Sequence, residues 1–370
     1  MGMKKAFLVL IFCILFSACS KADNSADFEF NEDNKKIIIT GYQGTAEELV
    51  IPKKIQNRPV TAIGDKAFFR KGLTSVTIPN TVTQIGDIAF SQNNLTSVTL
   101  PNSVTQIGDI AFSQNNLSSV TLPNSVTHIG FGAFSGNQLT SIAIPKSLTR
   151  IEDIAFGQNQ LTSVTLPNSI TYIGDRAFFR NNLTSLVIPD SVTRIDDRAF
   201  FQNNLASVTI PNSVTHIGDN AFAMNELTSI TIPESVIFIG ETAFAENNLT
   251  SVVIPDSVSL MGDYIFAENN LTSVTIPGSF SSINTGTFFG NQLTSVIIPE
   301  SVRSIGYDAF RQNQLTSITI GGNVSLEGLA GDSAVNTFDN EFDNFYNSSG
   351  KRAGTYEYNG SSWSMSIGER

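Results

Sequence analysis

Residues 73–94 read LTSVTIPNTVTQIGDIAFSQNN and residues 95–116 read LTSVTLPNSVTQIGDIAFSQNN, so two consecutive blocks of 22 differ only at Ile78/Leu100 and Thr81/Ser103. The same frame extends in both directions. Prolines stand at 79, 101, 123, 145, 167, 189, 211, 233, 255, 277 and 299, an unbroken step of 22, and only Pro52 and Pro59 fall outside it. With Leu73 as position 1, eleven full repeats run from Leu73 to Gln314 without insertion or deletion. A degenerate repeat precedes them. In it Val50-Ile51-Pro52 matches the segment ending in the periodic proline, Ile63 to Phe68 matches IGDxAF, and five extra residues surround Pro59. A half repeat from Leu315 to Leu326 follows, with Gly321 in the proline position. A fixed period of this size signals a solenoid whose units bury their cores against neighbours.

The apolar positions of one unit are 1, 4, 6, 10, 13, 17 and 18, as in Leu95, Val98, Leu100, Val104, Ile107, Ala111 and Phe112. Positions 3 to 6 alternate Ser or Thr with Val or Ile, which predicts a short strand with one buried face. Proline at position 7 ends it, because proline has no N–H for a further ladder bond. Identical strands one repeat apart must lie parallel. The expected fold is therefore a solenoid carrying a parallel β-sheet of about 13 short strands, with a rise of roughly 4.8 Å per repeat. Acidic position 15, as in Asp87, Asp109, Asp175 and Glu241, reads as the N-cap of a short helical or 3₁₀ turn on the opposite side. Position 21 is Asn in every full repeat, from Asn93 to Asn313, and reads as an internal ladder in which Asn takes left-handed dihedrals and bonds neighbouring backbone.

A solenoid needs covered ends. Phe28, Phe30, Ile37 and Ile39 around the polar turn Asn31 to Asn34 predict a hairpin lid. At the other end Phe338, Phe342 and Phe345 have the spacing of an amphipathic helix. Tyr356 and Tyr358 then alternate toward Asn359-Gly360, with Trp363 and Met365 on the return strand of a second hairpin. The N-terminus differs in kind. Lys4 and Lys5 precede an apolar run from Ala6 to Phe16, too short to span a membrane as a helix, and Ser17-Ala18 stand before Cys19. This stretch resembles a bacterial lipoprotein signal, with Phe16 where an aliphatic residue is usual, and the resemblance implies acylation of Cys19. The expected organisation is signal peptide 1–18, lipidated tether 19–27, N-terminal β cap 28–45, repeat solenoid 46–326 and C-terminal cap 327–370.

LTSVTLPNSVTQIGDIAF with its N-N-L junction resembles the treponemal-type leucine-rich repeat of BspA-like bacterial surface proteins, over residues 46 to about 326. The flanking segments FEFNEDNKKIIITGY and FYNSSGKRAGTYEYNGSSWSM are similar to pieces seen beside such repeats. The resemblance implies a leucine-rich-repeat solenoid working as a lipid-anchored adhesin or interaction scaffold in the bacterial envelope, at the outer membrane or cell surface. The partners it implies are host matrix or plasma proteins, glycans or other cells. A structural or periplasmic-facing scaffold is the alternative.

Composition narrows the remaining functions. Thirty-three acidic residues against 22 basic ones give a formal charge of −11, which opposes nucleic-acid binding. Removing Lys4 and Lys5 with the signal takes it to −13. Two His and two Cys leave little material for metal, thiol or acid-base chemistry. His128 and His216 share position 12 four repeats apart, too far to act as a pair. The column of acids at position 15 lacks the spacing of known calcium loops, no GxSxG elbow occurs, and the Asn-Leu-Thr triplets recur because the repeat recurs. Arg70, Lys71, Arg176, Arg180, Arg194 and Arg198 lie among neutralising Asp175, Asp196 and Asp197. The expectation is a monomeric binding protein with no catalytic residue, cofactor or metal.

The outward strand positions give a flat hydroxyl face: position 3 is Ser in every full repeat and position 5 is mostly Thr. Ala143, Val187, Val253 and Ile297 interrupt it. On the adjoining face Ile237, Phe238 and Leu260 stand where other repeats have Thr, Gln or Arg. The candidate partner-binding set is therefore Val187, Ile237, Phe238, Val253, Leu260 and Ile297.

Overall fold

The computed structural model describes residues 25–327 and 336–366. The signal peptide, Cys19 and most of the tether lie outside the described residues. Each 22-residue block makes one turn of a solenoid, and successive turns stack in register. A front strand occupies positions 3 to 5, as in Ser97–Thr99 and Ser119–Thr121, paired in parallel with Ser on Ser, Val on Val and Thr on Thr. Its middle residue is buried and its flanks are exposed, as alternation requires.

Two features depart from the pattern read in the sequence. The first is a second strand per repeat at positions 12 and 13, such as Gln84–Ile85 pairing with Gln106–Ile107. These back strands build a second parallel ladder, while the front ladder has no strand over residues 229–231. The second is the third side of the solenoid, where the expected short helical or 3₁₀ turn is a hydrogen-bonded turn without regular helix. Positions 16 and 20 there are left-handed, with φ of 60° at Ile88 and 56° at Gln92, whereas the left-handed conformation had been expected at the Asn of position 21. The N–H groups of Ile88, Phe90 and Gln92 donate forward to Asp109, Ala111 and Ser113 carbonyls at 2.7–2.9 Å. All three sides therefore hydrogen-bond along the solenoid axis.

The acid at position 15 does not cap its own turn. Asp65 Oδ1 accepts the Asp87 N–H at 2.9 Å and Asp87 Oδ1 accepts that of Asp109 at 2.8 Å, so the carboxylate joins one repeat to the next. This explains the glycine before it. A Cβ on Gly86 would lie 2.5 Å from Asp65 Oδ1 and 2.8 Å from the Asp65 backbone nitrogen, inside any real contact, and glycine at position 14 follows an acid at position 15 of the preceding repeat everywhere except at Asp196 and Asn284. Glu152 occupies position 14 only after Phe131 has removed the carboxylate from the preceding repeat.

Two side-chain columns fill the interior. Thirteen phenylalanine rings, from Phe68 through Phe310 to Phe338, stack at centroid spacings of 5.0–6.0 Å. Beside them the position-21 asparagines form the expected internal ladder. Asn203 Nδ2 donates to the Phe178 and Phe200 carbonyls at 3.0 and 3.1 Å, and its Oδ1 accepts the Leu183 N–H at 3.1 Å. Donors and acceptor are used, which is what burial of an amide requires.

The caps close different sheets. The N-terminal hairpin, Phe28–Asp33 with Lys36–Tyr42, extends the back ladder through Arg58–Ile63, and Phe28 and Tyr42 cover the Phe68 ring. The five extra residues of the degenerate repeat make a small hairpin, Lys54–Ile55 against Arg58–Pro59, turning through left-handed Gln56 and Asn57. At the other end Gly354–Tyr358 and Trp363–Ser366 add antiparallel to the last front strand, Ser317–Ile320. The helix is shorter than its apolar spacing suggested, Phe342–Ser348. Phe338 lies before it and serves as the last ring of the stack, held by Asp343, whose carboxylate accepts the N–H groups of Thr337 and Phe338 at 2.9 and 3.0 Å.

Replacing Asn203 by Ala is expected to cost about 3 kcal/mol or more, because it strands one buried N–H and two carbonyls. Ser207→Ala on the exposed front strand should stay within about 0.5 kcal/mol of the parent. Urea denaturation checks both, and equal midpoints would remove the amide ladder from its central place. A double-mutant cycle tests the carboxylate–glycine coupling. Gly86→Ala should destabilise the parent by about 1–2 kcal/mol more than it destabilises Asp65→Ala; additive effects would refute the coupling.

Candidate interaction surface

The side chains best placed to meet a partner come from the two strand columns, whose backbones are already satisfied by the ladders. On the front, unbranched serine hydroxyls and threonines alternate with few interruptions. Val187, Val253 and Ile297 are 69%, 66% and 73% exposed there, each opposite a threonine of the following repeat: Thr209, Thr275 and Thr319. They stand three and two repeats apart, so the structure leaves them as separate methyl groups in a hydroxyl field.

The back column is different. From Arg150–Ile151 to Leu260–Met261 six strands pair in one unbroken parallel ladder. Their outward residues are Arg150, Tyr172, Arg194, His216, Phe238 and Leu260. Before this stripe the same position carries Gln84, Gln106 and His128, and after it Ser282 and Ser304. The stripe is about 24 Å long at the strand spacing.

Its first half is polar and self-paired. The Arg150 guanidinium lies 3.9 Å from the Tyr172 ring centroid and 3.2 Å from Glu152. The Tyr172 hydroxyl donates to Asp196, which also pairs with Arg194, and reaches Asp153 at 3.4 Å. Burial, then the hydrogen bond to Asp196 and its negative charge, hold the Tyr172 phenol above its usual range. The bond to Asp196 keeps Arg194 more firmly protonated than usual. The second half is apolar. The His216 ring sits 5.9 Å from that of Phe238, Phe238 is half-buried and in register with Leu260, and Ile237 and Leu260 are 44% and 64% exposed. The structure thus brings together Ile237, Phe238 and Leu260 and separates them from the three front-face residues.

Sequence reasoning missed the cleft beside this apolar end. Asp256, Ser259, Met261, Phe280 and Asn284 line a depression of about 190 Å³ between two repeats. The signal was present: Met261 replaces the usual Ile at position 13, Phe280 the usual Val at position 10, and Gly278 the usual Asn at position 8. Phe131 and Met224 are further exposed apolar side chains on the third side.

The other sequence candidates sit apart from one another. His128 and His216 belong to different ladders. Arg176 pairs with Asp175 at 2.5 Å, Arg70 and Arg180 lie over Phe69 and Phe179, and Arg180 also donates to Gln202 at 2.8 Å. Among the described residues no group of three or more His, Cys, Asp or Glu is placed to hold a metal ion, and no helix is long and apolar enough to cross a membrane.

Asp175 marks a fault in the carboxylate ladder. Asp196 occupies the next repeat's position 14, where Gly would admit the acid, and Asp175 turns toward Arg176 with its Oδ1 buried and unpartnered. Burial pushes its pKa up, Arg176 opposes this, and Asp153 and Asp197 add to it.

A stack of 22-residue turns with parallel front strands, a phenylalanine core and a buried asparagine ladder defines a leucine-rich-repeat solenoid. Residues 61–182, 150–271 and 215–328 match the BspA type leucine rich repeat region, in six copies. The chain belongs to this family. Among solved structures it is similar to a leucine-rich cell surface protein of Faecalibacterium prausnitzii, at 30% identity and TM-score 0.60 over 82% of this chain and 89% of that one. It is also similar to a leucine-rich repeat protein of Bacteroides ovatus, at 25% identity and TM-score 0.65 over 80% and 87%. The pneumococcal vaccine antigen PcpA shares the fold at 19% identity and TM-score 0.55 over 87% and 94%. No curated protein matches the chain.

The raised pKa of Asp175 has a definite sign. Ionisation is harder in the fold than in the unfolded chain, so the penalty is absent below the unfolded value of about 3.9 and grows as pH rises through the folded one. Asp175→Asn is expected to raise the melting temperature at neutral pH and to lose that advantage at about pH 4 and below. A pH-independent difference would show that the buried carboxylate is not its source.

Proposed function

We propose that this chain is a lipid-anchored interaction protein of the bacterial surface, an adhesin or scaffold that recognises host matrix or plasma proteins or other cells through its repeat surface, without catalysis. The observation that carries the reading is the outward stripe from Arg150 to Leu260. A scaffold that carries Gln, His or Ser elsewhere in this column here presents five kinds of side chain over six strands, rich in the Arg and aromatic types that dominate protein interfaces. The family supports a protein-binding role, and the Faecalibacterium relative is described as a cell surface protein. Acylation at Cys19 supplies the anchor in this reading, since two or more chains give stable membrane attachment.

Two measurements test it. Cys19→Ala should release the protein from the membrane fraction, and complete retention of that variant would remove the lipid anchor. The purified mature chain should bind at least one matrix or plasma protein saturably, and protease treatment of intact cells should degrade the anchored form. Protection from protease would favour a scaffold facing the periplasm, and failure to bind across a broad panel would end the adhesin reading.

A further inference from the structure

The acidic excess of this protein is not spread along it. From Ser25 to Arg198 there are 15 acidic and 14 basic residues, whereas from Ala199 to Val302 there are nine acidic residues and neither Lys nor Arg. Almost five consecutive repeats therefore present carboxylates with no cation of their own. The apolar end of the back stripe lies within this span.

The repeat geometry puts carboxylates on both sides of that apolar strip. On one side stand Glu234 and Asp256 at position 8, and Asp256 lines the same cleft as Ser259, Met261 and Phe280. On the other stand Glu241 and Asp263 at position 15. In the N-terminal repeats positions 12 and 15 line one groove, formed by Gln84 and Gln106 with Asp87 and Asp109. All four flanking acids are exposed, and none enters an ion pair among the described residues. Between them Ile237 and Leu260 project into solvent and Phe238 packs against His216.

We infer that this surface binds a cationic amphipathic polypeptide segment, whose apolar side covers Ile237, Phe238 and Leu260 and whose Lys or Arg side chains meet the flanking carboxylates. The inference deepens the interaction-protein reading and rests on it. Charge complementarity selects the partner. A neutral or acidic segment covering the strip would desolvate or repel four unpaired carboxylates, whereas a basic one replaces water with counter-charges at both edges. The acidic span around the strip has a matching length: an amphipathic helix of about 14 residues is roughly 21 Å long, close to the almost five repeats from Ala199 to Val302. The uncompensated span also attracts such a segment beyond contact distance, with a range set by a Debye length of about 8 Å at physiological salt.

The test uses the mature full-length protein and a synthetic peptide of about 18 Leu and Lys residues with helical periodicity as the probe. Controls are the same residues scrambled, a Leu–Glu counterpart and a Lys-only peptide of equal charge. The Leu–Lys peptide should bind saturably, weaken with added salt, and bind at least about tenfold more tightly than each control. Phe238→Ser with Leu260→Ser, and separately Glu241→Gln with Asp263→Asn, should each weaken it about tenfold, whereas Val187→Ser with Ile297→Ser should leave it unchanged. These side chains lie at the surface, and unaltered melting curves will verify folding. Should either back-face variant unfold, Leu260→Lys replaces it and should weaken binding by like-charge repulsion. Equal binding to the Phe238→Ser, Leu260→Ser protein would mean nonspecific polycation adhesion and overturn the inference, as would equal binding by the Leu–Glu or scrambled peptide. If matrix or plasma proteins bind while the Leu–Lys peptide does not, this inference alone fails; if neither binds, the broader reading falls with it.

Discussion

Each full repeat nears its end with an asparagine whose amide lies inside the solenoid, donating to carbonyls of its own and the preceding repeat and accepting the N–H of the leucine that opens its own repeat. One side chain thereby satisfies backbone groups that have no strand or helix partner at a sharp corner. The corner has to be sharp, because positions 16 and 20 are left-handed even where Ile88, Ile110 and Ile154 occupy the first of them. β-Branched residues resist that conformation, and a single turn could not hold it against solvent. Stacking holds it, since the same N–H groups donate forward to the next repeat. The period of 22 is therefore fixed by hydrogen bonding across turns as much as by the phenylalanine stack, and an insertion within the eleven repeats would put both columns out of register.

Contacts that cross from one repeat to the next explain what the sequence revealed and what it concealed. Proline spacing, the buried Leu, Val, Ile and Phe positions and the asparagine column are periodic properties, and periodicity displays them directly. The Asp at position 15 was misread because a local cap and an inter-repeat bond leave the same residue in the same place. The feature that separates the two is the glycine one repeat later, visible only when pairs of repeats are compared. Phe338 was misassigned for the opposite reason. Its relation to Phe310 is not spaced by 22, while its spacing to Phe342 imitates a helix. The back strand left no alternation to detect because it is two residues long. Of the candidate surface, the individual apolar exceptions were legible but their grouping was not: Val253 and Leu260 are near in sequence yet belong to different faces.

The division of labour between backbone and side chains sets where such a chain can diverge. Position 12 contributes its backbone to the ladder and projects its side chain outward, so Gln, His, Arg, Tyr, Phe, Leu and Ser all occupy it without altering the register. Position 14 has less freedom: after an acid at position 15 of the preceding repeat it is Gly except at Asp196 and Asn284. Asp196 shows the cost of departing from that rule, because the displaced Asp175 is left with a buried oxygen unpartnered. The repeats beginning at Leu73 and Leu95 are near copies, while those from Leu139 onward vary most in the exposed back column.

Divergence at exposed positions need not mean selection for binding, since drift is cheapest where structure does not constrain the side chain. Two observations argue for more than drift in the Ala199 to Val302 span. Random substitution at exposed sites brings in Lys and Arg as readily as Asp and Glu, yet nine acids occur there without a single base, while the preceding half of the protein is close to balanced. The apolar substitutions moreover fall on neighbouring strands of one ladder, Phe238 beside Leu260, rather than scattering as the front-face valines do. Exposed apolar groups lower solubility and clustered like charges repel one another, so each feature alone carries a free-energy cost to the isolated protein. A basic amphipathic partner relieves both costs in a single contact, which makes their coincidence on one face more informative than either would be separately.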